Sequence, residues 1–429
     1  MVTKANEILT SWVNTPPDSD FSIYNIPFGV FKKENTDARC CTAIGDYVID
    51  LAVLSENRYF QDLEIPRNIF HDRSLNAFIT LGKKTTNQVR ERLIQLFSSH
   101  NHELQENKGL HHQLFHRRED VTMLLPLTIG DYTDFYSSKE HATNVGAMFR
   151  DPVNALLPNW KHLPVAYHGR ASSIVPSGTP VIRPQGQFKK NKDDAAPVFG
   201  PTEALDFELE IAFVVGRDSK LGQPINVNSA KDYIFGFLVF NDWSARDIQS
   251  WEYVPLGPFL AKNFMSSVSP WIVTLEALFH YAVRGPARDA QPLPYLQTDD
   301  DMNFDIELEI HLQCNMSEPQ LISRTNFRHM YWNVCQQLAH HTINGCNVRI
   351  GDLMASGTIS GPERGSEGSM LELTRNGKEP ITLRDGSTRK FLNDGDTVIM
   401  KGYASRDGKR VGFGEVAGRV AARGELNGE

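Results

Sequence analysis

The sequence predicts a mainly β, α+β protein of two domains. Three observations carry this. The chain has 429 residues, more than one compact core usually organises. Its larger part reads as runs of strands, LDFELEIAFVVG, DYIFGFLVFND, WIVTLEAL, FDIELEIHLQ, MLELTR and DTVIMKGYA, with few helical stretches between them. Gly- and Pro-rich turns separate those runs, and no repeat of roughly 20–50 residues appears. The expected organisation is an N-terminal extension over residues 1–17, a first domain over 18–125 and a larger domain over 126–429. The division falls in the segment LLPLTIGD.

In chain order, the extension is polar and ends at Pro16–Pro17. FGVF and RCCTAIGDYVIDLAVL read as short strands and turns. A charged, helix-rich stretch follows, with SLNAFITLG and NQVRERLIQLFSSH, and then a His-rich loop (His111, His112, His116). Those histidines read as solvated, because no acid or Cys sits at ligand spacing. Ser137 followed by Glu140 fits a capping box and predicts a helix from Ser138. Ser244 with Asp247 gives a second capping pair, opening a short helix that Pro255 ends. The longest helix of the larger domain is expected near 326–343, NFRHMYWNVCQQLAHH, stopped by Asn344–Gly345. His340 and His341 sit in its last turn as packing or capping residues.

Composition narrows the functional classes. Hydrophobic residues make up 40% and charged residues 22%, with a net charge of −8. No basic stripe suggests nucleic acid and no basic amphipathic segment suggests a membrane surface, so an anionic substrate needs a local basic pocket. Five scattered cysteines, with Cys40 and Cys41 adjacent and no CxxC, point to reduced thiols and a cytoplasmic location. The first residues lack the apolar stretch of a signal peptide.

Four segments carry residues suited to chemistry. GDYTDFYSSKEHATNVG (130–146) places Asp134 and Tyr136 in an approach loop and His141 in a first helical turn. A His there tends to stay neutral, as a general base requires, although the stretch read alone favours a capped helix with a structural His. In LDFELEIAFVVG (205–216), alternation puts Asp206, Glu208 and Glu210 on one face. Beyond Glu210 both faces are apolar, so the strand enters a core, where adjacent carboxylates are costly unless a cation neutralises them. Oxygen-only ligands favour Mg²⁺ or Ca²⁺ over zinc. FDIELEIHLQ copies the pattern with Asp305, Glu307 and Glu309, but stays polar through His311 and Gln313, which marks a solvated face.

In FGFLVFNDWSARDIQSWEYVPLGPFLAKNF (235–264) a buried strand ends at Asn241–Asp242. On the helix after it, Arg246, Gln249 and Tyr253 share one face at i, i+3 and i+7. Lys262 sits among Phe259, Leu260 and Phe264, where desolvation is expected to lower its pKa. GDLMASGTISGPERGSEGSMLEL (351–373) reads as a mobile loop closing over a ligand, with Thr358 in it and Glu372 beyond it in a strand. No GxGxxG, Walker A, HExxH or GxSxG is present, so nucleotide, zinc-protease and serine-hydrolase functions lack their motifs.

GDYTDFYSS with HATNVG, LPVAYHGRASSI, LDFELEIAF, NDWSARDIQSWEYVPLGPFLAK, SGTISG and HMYWNVCQQLAHHTINGC together resemble the fumarylacetoacetate hydrolase family, from about Asp20 onward. The resemblance implies a small SH3-like N-terminal barrel, a β-roll catalytic domain and a homodimer. It implies hydrolysis of the carbon–carbon bond of 4-fumarylacetoacetate, giving fumarate and acetoacetate, at the end of tyrosine and phenylalanine breakdown. It implies a divalent metal, Mg²⁺ or Ca²⁺, on Asp134, Glu208, Glu210 and Asp242. His141 matches the general base and Glu372 the acid that orients it. Arg246, Gln249 and Lys262 match the groups around the reacting carbonyl and leaving group. Tyr136, Arg150, Tyr167, Tyr253 and Thr358 match substrate contacts. A secondary cation site is implied at Asp242, Lys262 and Ser266, where this chain departs from the family's usual Gly-Thr by carrying Met265–Ser266. Competing readings are acylpyruvate hydrolysis or β-keto acid decarboxylation on the same scaffold, and a non-catalytic binding protein. The N-terminal domain argues against the first pair, and the retained His, acids and Lys against the last.

Overall fold

A computed structural model describes residues 9–425 apart from 192, 299, 301, 315, 316 and 423; residues 1–8 of the expected extension lie outside the described residues. The fold is α+β, in two compact units. The first runs to Thr128 and adds Pro270–Tyr281 and Tyr403–Phe413; the second is Ile129–Ser269, Ala282–Gly402 and the chain from Gly414 on. Two segments within the expected domain over 126–429, Pro270–Tyr281 and Tyr403–Phe413, cluster with the first unit.

The first unit holds an antiparallel five-stranded sheet, ordered Phe115–Arg117, Tyr47–Asp50, Arg39–Ile44, Phe28–Lys32, Thr122–Leu124. Asp50 ends one strand and caps the helix Leu51–Glu56, accepting from the Ala52 and Val53 amides, so the LAVL of the expected strand is helical. Lys83–Phe97 is a 15-residue amphipathic helix whose Val89, Leu93, Leu96 and Phe97 are buried at helical spacing. Residues of the expected extension pack here. Trp12 Nε1 donates to Leu96 O at 2.8 Å, and its ring stacks on His111. The His-rich loop is not a loop: His111 and His112 lie on the helix Lys108–Leu114, and His116 is buried in a strand. Burial, then the charge of Lys33, holds His116 below its ordinary pKa.

The second unit is built on a mixed sheet whose order includes Ala166–His168, Tyr132–Phe135, Leu353–Ala355, Leu209–Val215, Ile234–Asp242, Ser266–Val268 and Ile174–Pro176. Ile234–Asp242 is buried along its whole length, which is why it reads as an uninterrupted apolar run and takes an interior place. Each large side chain so buried contributes about 1.5–3 kcal/mol. Glu307–Gln313 alternates buried and half-buried residues, so the face expected to be solvated is half-buried, and Glu309 there pairs with His311 and Arg324.

Several expected elements change. WIVTLEAL gives a two-residue strand, Val273–Thr274, and then the helix Leu275–Leu278. MLELTR is not a strand but the one-turn helix Met370–Leu373. The helix expected over 326–343 begins only at Val334, because Asn333 and Gln336 form a reciprocal capping box there. Among the described residues no helix is long and apolar enough to cross a membrane.

Candidate functional site

Strand register gathers the acids. Leu209 lies opposite Asn241, and Asp134 opposite Ala355, so Glu210, Asp242 and Asp134 approach one another from neighbouring strands. The Asp242 amide donates to Glu208 O at 3.1 Å and fixes the fourth. Asp134, Glu208, Glu210 and Asp242 are all buried, and each offers an oxygen within 4.8 Å of the other three. Gly357 seats Glu210 by donating its amide to Oε2 at 3.0 Å. Its φ is +78°, and a Cβ there would stand 2.2 Å from Phe135 O, so only glycine fits.

Buried cations face this cluster. Lys262 Nζ donates to Glu208 Oε2 at 2.5 Å and to Asp242 Oδ2 at 2.7 Å. Arg246 Nη1 lies 2.7 Å from Glu208 Oε1, while its Nε donates to Asp206 Oδ2 at 2.8 Å. Burial pulls Lys262 down as expected, but Asp242 and Glu208 outweigh it and its pKa rises above the ordinary value. The expected depression is thereby reversed. Burial likewise pushes Glu208 up, yet Lys262 and Arg246 hold it well below the carboxylate range. Asp134 and Glu210, which face no cation directly, are driven up by burial and then by neighbouring carboxylates.

The donor set fits a divalent cation. With all four carboxylates ionised, only two cations face them and Arg246 is shared with Asp206, so the ionised cluster needs further positive charge. Asp134 Oδ1 and Glu210 Oε1 are buried without a hydrogen-bond partner. Buried orphan acceptors of this kind are costly unless something positive reaches them, and an all-oxygen set suits a hard ion.

His141 lies beside these acids on the helix Lys139–Phe149, one residue later than expected: Ser138, not Ser137, is the cap, and its Oγ accepts from the His141 amide at 3.1 Å. Ser137 Oγ instead accepts from Gln337 Nε2. His141 Nδ1 meets Glu372 Oε2 at 2.6 Å, both buried, across 231 positions of sequence. Glu372 also accepts from Asn144 Nδ2 at 2.9 Å, Ser369 Oγ at 2.8 Å and Ser360 Oγ at 2.9 Å. Burial pushes its carboxyl up, but His141, Asn144 and Ser369 prevail and keep it below the usual range. With Nδ1 committed to a carboxylate, Nε2 is the nitrogen left to act.

The remaining residues are placed less uniformly. Gln249 Oε1 accepts from Arg246 Nη1 at 3.2 Å. The Tyr136 ring stands edge-on to His141 at 5.1 Å. Tyr167 donates to Asp242 Oδ2 at 2.9 Å. Thr358 Oγ1 is buried and unpartnered. Arg150 is turned to Ala155 O, and Tyr253, at the end of its helix, is 52% exposed. Ser266 Oγ donates to Asp242 Oδ1 at 2.8 Å, so the residues of the implied secondary cation site are hydrogen-bonded to one another.

Two local expectations fail here. The helix Arg246–Glu252 has no side-chain cap; Ser244 sits in a short strand, and Asp247 accepts from Thr202 and the Glu203 amide. The 351–373 segment is not a mobile loop, since all of it is buried except a short exposed turn around Pro362–Arg364. Sequence reasoning missed Asn144, Ser360 and Ser369. Ser369-x-x-Glu372 has capping-box spacing and could have signalled the last.

Two family models cover most of the chain: fumarylacetoacetase N-terminal over residues 24–126 and fumarylacetoacetate (FAA) hydrolase C-terminal over 131–421. The fumarylacetoacetase of Dictyostelium discoideum is 51% identical over 418 residues, spanning 96% of this chain and 98% of its own. That of Homo sapiens is 51% identical over 412 residues, with the same shares. Among solved structures, a fumarylacetoacetate hydrolase from psychrophilic Exiguobacterium antarcticum is 18% identical with a TM-score of 0.52, covering 93% of this chain and 100% of the other. At that identity the likeness is one of fold.

Proposed function

The chain belongs to the fumarylacetoacetate hydrolase family, and from that membership we propose that it hydrolyses the carbon–carbon bond of 4-fumarylacetoacetate to fumarate and acetoacetate, in tyrosine and phenylalanine catabolism. The observation that carries the mechanism is the buried His141–Glu372 pair beside a four-carboxylate cluster.

Cleavage beside a β-diketone needs an activated water, a polarised carbonyl and a place for the charge of the departing enolate. His141 Nε2 takes the proton of the water, while ionised Glu372 holds the tautomer and stabilises the imidazolium that forms. Arg246 Nη2, a buried donor without a partner, is available to a substrate oxygen, with Gln249 beside it. Lys262, kept cationic, offsets the enolate charge. Tyr136, Arg150, Tyr167, Tyr253 and Thr358 are assigned to substrate contacts, Arg150 after turning from Ala155. Asp134, Glu208, Glu210 and Asp242 would hold Mg²⁺ or Ca²⁺, which supplies Lewis-acid chemistry when bound.

The five-stranded sheet of the first unit supports an SH3-like barrel, and the mixed sheet of the second a β-roll. A homodimer follows from family membership, and a cytoplasmic location from the cysteine pattern.

The test is turnover of fumarylacetoacetate against acetylpyruvate, followed by ultraviolet absorbance with Mg²⁺ and with Ca²⁺. Preference for acetylpyruvate would sink the substrate assignment. His141→Ala is expected to lower turnover about 10²–10⁴-fold with metal affinity intact; near-wild-type turnover would remove the dyad from the mechanism.

A further inference from the structure

Asp206 belongs to none of the groups described so far. It is fully buried, and it lies outside the four-acid cluster. Each of its oxygens accepts two N–H donors. Oδ1 takes the Phe207 and Met370 amides at 2.8 and 2.7 Å, and Oδ2 takes the Leu371 amide at 3.0 Å and Arg246 Nε at 2.8 Å. Four donors fill the lone pairs of a carboxylate. Burial pushes the Asp206 pKa up, and Arg246 with the Leu371 amide works against that.

Those donors come from two elements that carry different parts of the site. Met370 and Leu371 open the one-turn helix whose next residue is Glu372. Arg246 opens the helix that carries Gln249. A single helical turn has almost no stability of its own, so its placement depends on what its first amides bond to. Ser369 binds the Glu372 amide, and Asp206 binds the two amides before it.

We propose that Asp206 is a positioning residue that locks Arg246 to the helix bearing Glu372, holding the oxyanion-side donor and the His141–Glu372 dyad in one register. The inference rests on the function proposed above. Asp206 touches neither substrate nor the dyad's hydrogen bond; it acts through the two elements it joins. Asp206→Asn keeps the shape but turns an amide NH₂ toward donors, so at least one arm of the link is lost.

The experiment uses the full chain. The kcat and KM of Asp206→Asn on fumarylacetoacetate are measured beside its Ca²⁺ affinity by calorimetry. The low-field proton resonance of His141 Nδ1, identified by its loss in His141→Ala, is recorded without substrate. The expected result is kcat lowered about 100-fold, the cost of an ångström-scale misplacement, with KM and Ca²⁺ affinity within about threefold and the resonance shifted. Wild-type kcat, or a lowered kcat with an unmoved resonance, overturns the inference. A wild type inactive on fumarylacetoacetate overturns the functional reading instead, and the resonance still decides the link. If Asp206→Asn does not fold, Arg246→Lys tests the same connection: the resonance shifts if Asp206 transmits the change and stays if it does not.

Discussion

Lys262 shows how a single side chain's chemistry is set by what stands opposite it. Apolar neighbours in sequence argue for a depressed amine, but two carboxylate oxygens within 2.7 Å make it a cation. Removing it leaves buried Asp242 without its ion pair and Glu208 with Arg246 alone. Lys262→Met is therefore expected to destabilise the metal-free protein by about 3–5 kcal/mol, read as a lower urea midpoint at unchanged slope. The loss should shrink when Ca²⁺ is present, because the ion supplies the missing charge. An unchanged midpoint without metal would mean that the ion pairs contribute nothing to stability. Part of the candidate site was legible: Glu208 and Glu210 stand where a strand turns apolar, and both lie in the buried acid cluster. Asp206 shares their face, but nothing local separates a metal ligand from a hydrogen-bond acceptor. That separation depends on which amides lie opposite, and those come from residues 370 and 371.

At the scale of elements, caps fix where helices begin. The helix Val334–Thr342 starts where Asn333 Oδ1 accepts the Gln336 amide at 3.0 Å. Asn333→Ala should cost about 1 kcal/mol, seen in the denaturation midpoint; no shift would show the cap to be redundant. The same helix ends in a pH-sensitive group. Burial, then the charges of His168 and His340, lowers the pKa of His341 from 6.5 to about 4. The unfolded chain takes up a proton between those values that the folded protein refuses, so stability present above pH 6.5 is lost as pH falls toward 4. His341→Gln should flatten the melting temperature between pH 6.5 and 4; an equally steep fall would place the sensitivity elsewhere. Strand assignments survived where apolar runs were long, as in Ile234–Asp242. They failed for MLELTR, a run too short for periodicity to separate a strand from the four-residue helical turn found there.

For the whole molecule, the four buried carboxylates are gathered only in the native state, so a divalent ion held there would stabilise it. EDTA is expected to abolish turnover and lower the melting temperature, with Mg²⁺ or Ca²⁺ restoring both. At a hundredfold excess over Kd, bound metal adds about 2.7 kcal/mol to stability. Full activity and an unchanged melt in EDTA would exclude the metal role. The sequence by itself determined the α+β class, the acid-bearing strand with its hard-ion preference, and the residues that resemble a known family, because alternation, capping spacing and motif are written within a few neighbouring positions. Tertiary structure decided which carboxylates Lys262 meets, the burial of the 351–373 segment and the hydrogen-bond partners of Asp206. It also placed Pro270–Tyr281 and Tyr403–Phe413 with the first unit. Each of these depends on strand register and on charges brought together from far along the chain. His141 and Glu372, 231 positions apart, meet only because the fold seats a helix terminus and a single helical turn side by side.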